Sequence, residues 1–172
     1  DAFVAKKLVL EKSPDVITLD IEMPKVDVLR FLEVLMNAKP TPVVMISTLT
    51  EKGADATLRS LELGAIDFVA KPKIGVAQGM ADYHQLIVGK IRTAARSKVK
   101  KATPAKASAV SKVNYTGTEK LIAIGASTGG TEAIKEVLRT FPANAPATVI
   151  TQHMPAGFTS TYARRLDSVC QM

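Results

Sequence analysis

The sequence predicts an α/β fold: a doubly wound parallel sheet, followed by the start of a second, smaller α/β unit. Three observations carry this. Short apolar runs of strand length alternate with segments of helical period over residues 2–95. The alternation resumes, after a basic stretch, over residues 121–169. Each apolar run of the first region also ends in a polar residue, Asp20, Ser47 and Lys71 in turn, so functional groups collect along one edge of the sheet.

In chain order, residues 2–10 have helical character and stop at Ser13-Pro14, because the residue before a proline avoids the helical region. Residues 15–20 form a short apolar strand ending in an acid. Residues 28–37 return to helical spacing, and 42–47 form a second strand ending in a hydroxyl. A helix over 54–63 closes at Gly64, a third strand over 66–70 delivers Lys71, and a last helix covers 83–95. A carboxylate at such an edge can take a phosphoryl group, and a neighbouring hydroxyl and ammonium can bind the added oxygens. Taken singly, each has an ordinary reading: a cap, a strand end, a surface charge.

The chain has 172 residues, a 47% hydrophobic share and a net charge of +7. That length allows one large or two small domains with a sizeable core. No apolar run is long enough to span a membrane, and no secretory signal opens the sequence. A lone cysteine, Cys170, gives no disulfide framework and fits a reducing, cytoplasmic setting. The positive charge is local. Between Tyr83 and Thr118 there is no acidic residue but eight basic ones, and elsewhere the charges nearly balance. Residues 97–112, rich in Lys, Ala and Ser, read as a solvated linker. No aromatic residue interleaves those charges before Tyr115, so no nucleic-acid partner is expected.

In the second region an apolar strand, residues 121–124, runs into Gly125-Ala-Ser-Thr-Gly-Gly130, and a helix follows over 131–139. The turn fits G-x-S-x-G, in which small flanking residues let a serine Oγ project from a sharp strand-to-helix bend. It lacks the lysine of a phosphate-binding P-loop and the spacing of a dinucleotide fingerprint. A plain structural turn is the alternative. A second strand, 147–151, ends just before His153, and a strand-helix-strand unit places two parallel strands about 4.8 Å apart with both C-terminal ends on one edge. Ser127 and His153 therefore fall at neighbouring strand tips, where a nucleophile and its base would pair. The amides of Thr128, Gly129 and Gly130 are candidate oxyanion donors. Thr131 is the expected helix cap and Glu132 supports the first turn. After His153, Pro155-Ala-Gly157 is read as a turn and 159–169 as a helix. Its Arg164 and Arg165 read as a solvated face, with contact to a substrate carboxylate as the alternative, and its Asp167 as poorly placed to orient the histidine. His84 has no metal-ligand partner at useful spacing.

The stretches Leu19-Asp-Ile-Glu-Met-Pro24, Ser47-Thr-Leu-Thr50 and Gly64-Ala-Ile-Asp-Phe-Val-Ala-Lys-Pro72 resemble a response-regulator receiver domain, with its flavodoxin-like sheet. Together with the basic linker, the serine turn and Thr151-Gln-His-Met-Pro155, they resemble the chemotaxis methylesterase family, CheB. The resemblance implies a receiver over residues 1–96, a basic linker over 97–117, and the N-terminal part of a Rossmann-like methylesterase domain over 118–172. It implies Asp20 as phosphoacceptor, Ser47 and Lys71 as groups sensing the phosphoryl, and Phe68 at the switch aromatic position. Mg²⁺ would be held by Asp20 and the backbone of Glu22, with its other ligands missing from the chain. Ser127 would be the nucleophile and His153 the general base.

The implied reaction is hydrolysis of glutamyl methyl esters on methylated chemoreceptors, with deamidation of receptor glutamines as a second reaction. A chemotaxis histidine kinase would be the phosphodonor, with neither nucleic acid nor membrane insertion involved. Three departures stand out: the family's first strand with its acidic pair is absent, Val28 replaces a usual glycine, and the third triad residue, an aspartate, lies outside the chain. The expectation is an internal piece truncated at both ends, poorly active by itself. The rival expectation is a docking module without catalysis.

Overall fold

Ser13 ends the first helix by turning left-handed, at φ +46°, while its amide still bonds the Val9 carbonyl at 3.1 Å. The computed structural model describes residues 2–24, 26–71, 80–99 and 120–172, and the chain divides into two units, 1–102 and 103–172. Most of the stretch read as a linker, residues 100–117, lies outside the described residues.

In the first unit, α1 (Ala2–Lys12) leads to β1 (Ile17–Asp20), α2 (Val28–Ala38), β2 (Val43–Ser47), α3 (Glu51–Glu62), β3 (Asp67–Ala70) and α4 (Met80–Ala95). The sheet order is β1-β2-β3, all parallel, with Asp20 opposite Ile46 and Ser47 opposite Ala70. Every C-terminal strand end therefore reaches the same edge. Central β2 is buried at Val43, Val44 and Met45, each contributing about 1.5–3 kcal/mol of apolar burial. Side chains alternate across a strand. Val44 and Val69 accordingly meet Ala94 of α4 on one face, while α3 packs on β2 and α2 on α3. Helices on both faces make the sheet doubly wound, as the alternation predicts.

Caps explain where the helices start. Asp27 accepts the Arg30 amide at 3.0 Å, so α2 begins at Val28, which is buried against the core. The residue that departs from the family pattern thus packs as the first residue of a helix. Thr50 accepts the Gly53 amide at 3.0 Å and starts α3 three residues earlier than the apolar spacing indicated.

The second unit is β4 (Leu121–Ala126), α5 (Gly130–Leu138), β5 (Ala147–Gln152) and α6 (Ala156–Asp167). The two strands are parallel and in full register, from Leu121 opposite Ala147 to Ala126 opposite Gln152. Ile134, Leu138, Phe158 and Tyr162 form the buried side, and the Tyr162 hydroxyl donates to the Thr131 carbonyl at 3.0 Å, tying α6 to α5. Two expectations are corrected here. The cap of α5 is Gly129, not Thr131, and Thr131 is buried inside the first turn. Residues 155–157 are not a separate turn: Pro155 caps α6 with its restricted φ of −60°, and the helix runs from Ala156.

Candidate functional site

The edge of the first unit brings Asp20 and Lys71 together from opposite sides of β2. Lys71 Nζ lies 2.8 Å from Asp20 Oδ2 and 3.1 Å from Glu22 Oε2. Asp20 Oδ1 accepts the Glu22 amide at 2.9 Å, and Glu22 Oε1 accepts the Thr48 hydroxyl. Burial pushes the Asp20 carboxyl up, but the Lys71 hydrogen bond, the Glu22 amide and the lysine charge outweigh it and hold the group below its ordinary value. Glu22 is lowered by the Thr48 hydroxyl first, then by Lys71. Lys71 is raised by its hydrogen bonds to both acids.

Ser47 reaches the same edge but is fully buried. Its Oγ lies 3.2 Å from the carbonyls of Gly53 and Thr48, so the hydroxyl engages the start of α3 and not Asp20. Phe68 is buried, with Lys90 Nζ 5.6 Å from its ring centroid and 2.7 Å from Asp67 Oδ1. The roles of the Glu22 carboxylate, of Thr48 and of Lys90 were not read from the sequence. Glu22 and Thr48 lie within the motif stretches themselves, whereas Lys90 is 23 residues from its partner and carried no local signal.

Asp20 is the one described carboxylate at this edge that also belongs to the expected Mg²⁺ ligand set, and both its oxygens are already engaged. Among the described residues no group of three or more His, Cys, Asp or Glu side chains is placed to hold a metal. These residues do not form a Mg²⁺ site of their own.

In the second unit the register carries Ser127 and His153 to adjacent strand tips, with the His153 amide bonding the Ala126 carbonyl at 3.0 Å. Both residues are exposed, and among the described residues their side chains are not hydrogen-bonded to each other. Gly129 at φ +74° takes the left-handed conformation that bends strand into helix. Gly130 has no room for a side chain: a Cβ would lie 2.2 Å from Gln152 Oε1 and 2.5 Å from Ala126 Cβ. Its amide donates to the Ser127 carbonyl at 2.8 Å and so serves the turn. Glu132 pairs with Lys135 at 2.5 Å, as helix support requires. Asp167 ends α6, eleven residues past its start, or about 16 Å along the axis from the end nearest His153. His84 is exposed on α4.

A receiver-type parallel sheet followed by a second α/β unit defines a response regulator with an α/β output domain. Residues 1–77 match the family model for the response regulator receiver domain, and residues 122–172 that for CheB methylesterase. The protein-glutamate methylesterase/protein-glutamine glutaminase 2 of Pseudomonas aeruginosa is 56% identical over 173 residues, covering 100% of this chain and 50% of the relative. The protein-glutamate methylesterase/protein-glutamine glutaminase of Salmonella choleraesuis is 54% identical over 173 residues, with 100% of this chain and 50% of the relative covered. The solved response regulator domain of Thermotoga maritima CheB is 38% identical, covering 57% of this chain and 73% of that one, with a TM-score of 0.49. The chain belongs to the CheB methylesterase family. It spans about half the length of the curated relatives it matches. No described helix is long and apolar enough to cross a membrane.

Proposed function

We propose that the protein is a serine esterase, regulated by phosphorylation, that hydrolyses glutamyl methyl esters on chemoreceptors and deamidates receptor glutamines. The observation that supports this most directly is the register of β4 and β5, which sets Ser127 beside His153. Ser127 Oγ attacks the ester carbonyl carbon while His153 takes its proton. The tetrahedral oxyanion is met by the Thr128 and Gly129 amides at the positive end of α5. His153 then returns the proton to the departing methoxide, releasing methanol, and afterwards activates the water that frees the glutamate. Both side chains are exposed, and catalytic hydrogen bonds commonly tighten only with substrate bound. In the first unit Asp20 is the phosphoryl acceptor and Lys71 its charge partner, with a histidine kinase as donor.

The test is methanol release from a methyl-esterified glutamyl peptide by the protein extended to the length of its relatives. Ser127→Ala and His153→Ala should each lose at least 10³-fold in kcat. Retention of the parent rate in Ser127→Ala overturns the reading.

A further inference from the structure

Gln152 closes β5 directly across from Ala126, and its side-chain amide spans both strand tips. Nε2 donates to the Ser127 carbonyl at 2.8 Å and to the His153 carbonyl at 3.3 Å. The Ser127 carbonyl also accepts the Gly130 amide at 2.8 Å, so both of its lone pairs are engaged. A peptide unit is planar, and fixing that carbonyl fixes the direction of the Thr128 N–H on the far side of the same plane. In a G-x-S-x-G turn, the amide after the serine is the one that meets the developing oxyanion.

The other end of the same side chain works against folding. Gln152 Oε1 is buried without a hydrogen-bond partner. An amide oxygen left unpaired in the interior opposes folding, whereas an apolar side chain of similar volume would not. The space that Oε1 fills exists only because residue 130 is glycine. A residue held at such a cost, with its two donor bonds on the carbonyls of the nucleophile and the base, is placed for chemistry and not for stability.

We infer that Gln152 is a positioning residue: its amide locks the Ser127–Thr128 peptide against the His153 strand tip, setting the oxyanion-facing amide before substrate arrives. The inference rests on the esterase reading above and adds to it the group that holds the turn. It requires that loss of the Nε2 donors lower the rate of the chemical step and leave ground-state binding alone.

The experiment compares Gln152→Leu and Gln152→Glu with the parent and with Ser127→Ala, in the protein extended to the length of its relatives. Glutamate keeps the shape of glutamine and loses both donors. The readouts are kcat and KM on a methyl-esterified glutamyl peptide, covalent labelling of Ser127 by a fluorophosphonate, and thermal melting. Both Gln152 variants should lose at least ten-fold in kcat with KM within two-fold, and label more slowly by a similar factor. The pH midpoint of kcat/KM should stay where it is, and Gln152→Leu should melt no lower than the parent. Unchanged kcat in a folded Gln152→Glu, or an effect carried by KM alone, overturns the role of Gln152 while an inactive Ser127→Ala keeps the esterase reading standing. Melting of both variants below the assay temperature also overturns it, because the residue is then structural. A fully active Ser127→Ala removes the esterase reading itself.

Discussion

Lys71 Nζ meets Asp20 Oδ2 at 2.8 Å although β2 lies between their strands. Two strand spacings separate the backbones by about 10 Å, which the long lysine stem bridges. Both side chains keep about a third of their surface in water, so the pair is a weak contributor to stability and a strong one to local charge. In Lys71→Ala, Asp20 and Glu22 lose their shared cation. The Asp20 carboxyl should then titrate at higher pH than in the parent, as followed by NMR of its carboxyl carbon; an unmoved midpoint would show that the lysine does not govern it. The sign for stability follows from the lowered pKa: the Asp20 contribution is present above the unfolded value and is lost on acidification through the folded one. Phosphoryl transfer to this edge from acetyl phosphate should vanish in Asp20→Asn, and undiminished label in that variant would place the acceptor elsewhere.

Lys90 and Asp67 form the more buried pair, with side-chain exposures of 21% and 8%. Asp67 also accepts the Phe68 amide at 2.7 Å. Lys90→Met should therefore cost more stability than Lys71→Met, about 1–3 kcal/mol, because it strips a charge partner from a buried carboxylate. Urea denaturation of the two variants ranks them, and equal midpoints would contradict the ranking.

Gly129 and Gly130 fail differently when substituted. Gly129→Ala meets open space and bears only the left-handed strain, about 1–2 kcal/mol. Gly130→Ala drives a methyl into Gln152 and Ala126, an overpacking cost of about 1–3 kcal/mol or more, and displaces the amide that holds Ser127. The second substitution should abolish esterase activity at temperatures where the first retains a measurable rate. Equal activities in the two would mean the turn adapts freely.

Tyr162 ties α6 to α5 through the Thr131 carbonyl. Burial first, then the charge of Glu132, pushes its hydroxyl well above the ordinary tyrosine value. A raised folded-state pKa gives stability that is complete below about pH 10, the unfolded value, and is lost as pH rises beyond it. Tyr162→Phe should lower stability at pH 7 by about 0.5–1.5 kcal/mol and flatten the decline above pH 10. Parallel pH curves for parent and variant would exclude the tyrosine as its source.

Element order was legible because apolar spacing reports burial, and burial decides which segments form strands and helices. Boundaries were less so, since hydrogen bonds set them: Thr50 and Pro155 begin α3 and α6 ahead of the apolar pattern. Thr131 looked like a cap by residue type, yet the positive φ at Gly129 moved the cap two positions earlier. Asp20, Lys71, Ser127 and His153 could be placed at strand ends because a parallel sheet sends every C-terminus to one edge. The inward turn of the Ser47 hydroxyl and the double donation by Gln152 depend on side-chain direction, which spacing does not encode.

The matched ends of β4 and β5 constrain how this unit can vary in length among relatives. Residues 139–146 connect α5 to β5 at the strand end remote from Ser127, so insertions there move neither catalytic candidate. One residue inserted within β5 shifts everything beyond it by about 3.3 Å and reverses the face each side chain occupies. Tolerated insertions and deletions should therefore cluster at 139–146 and be missing between Ala147 and His153.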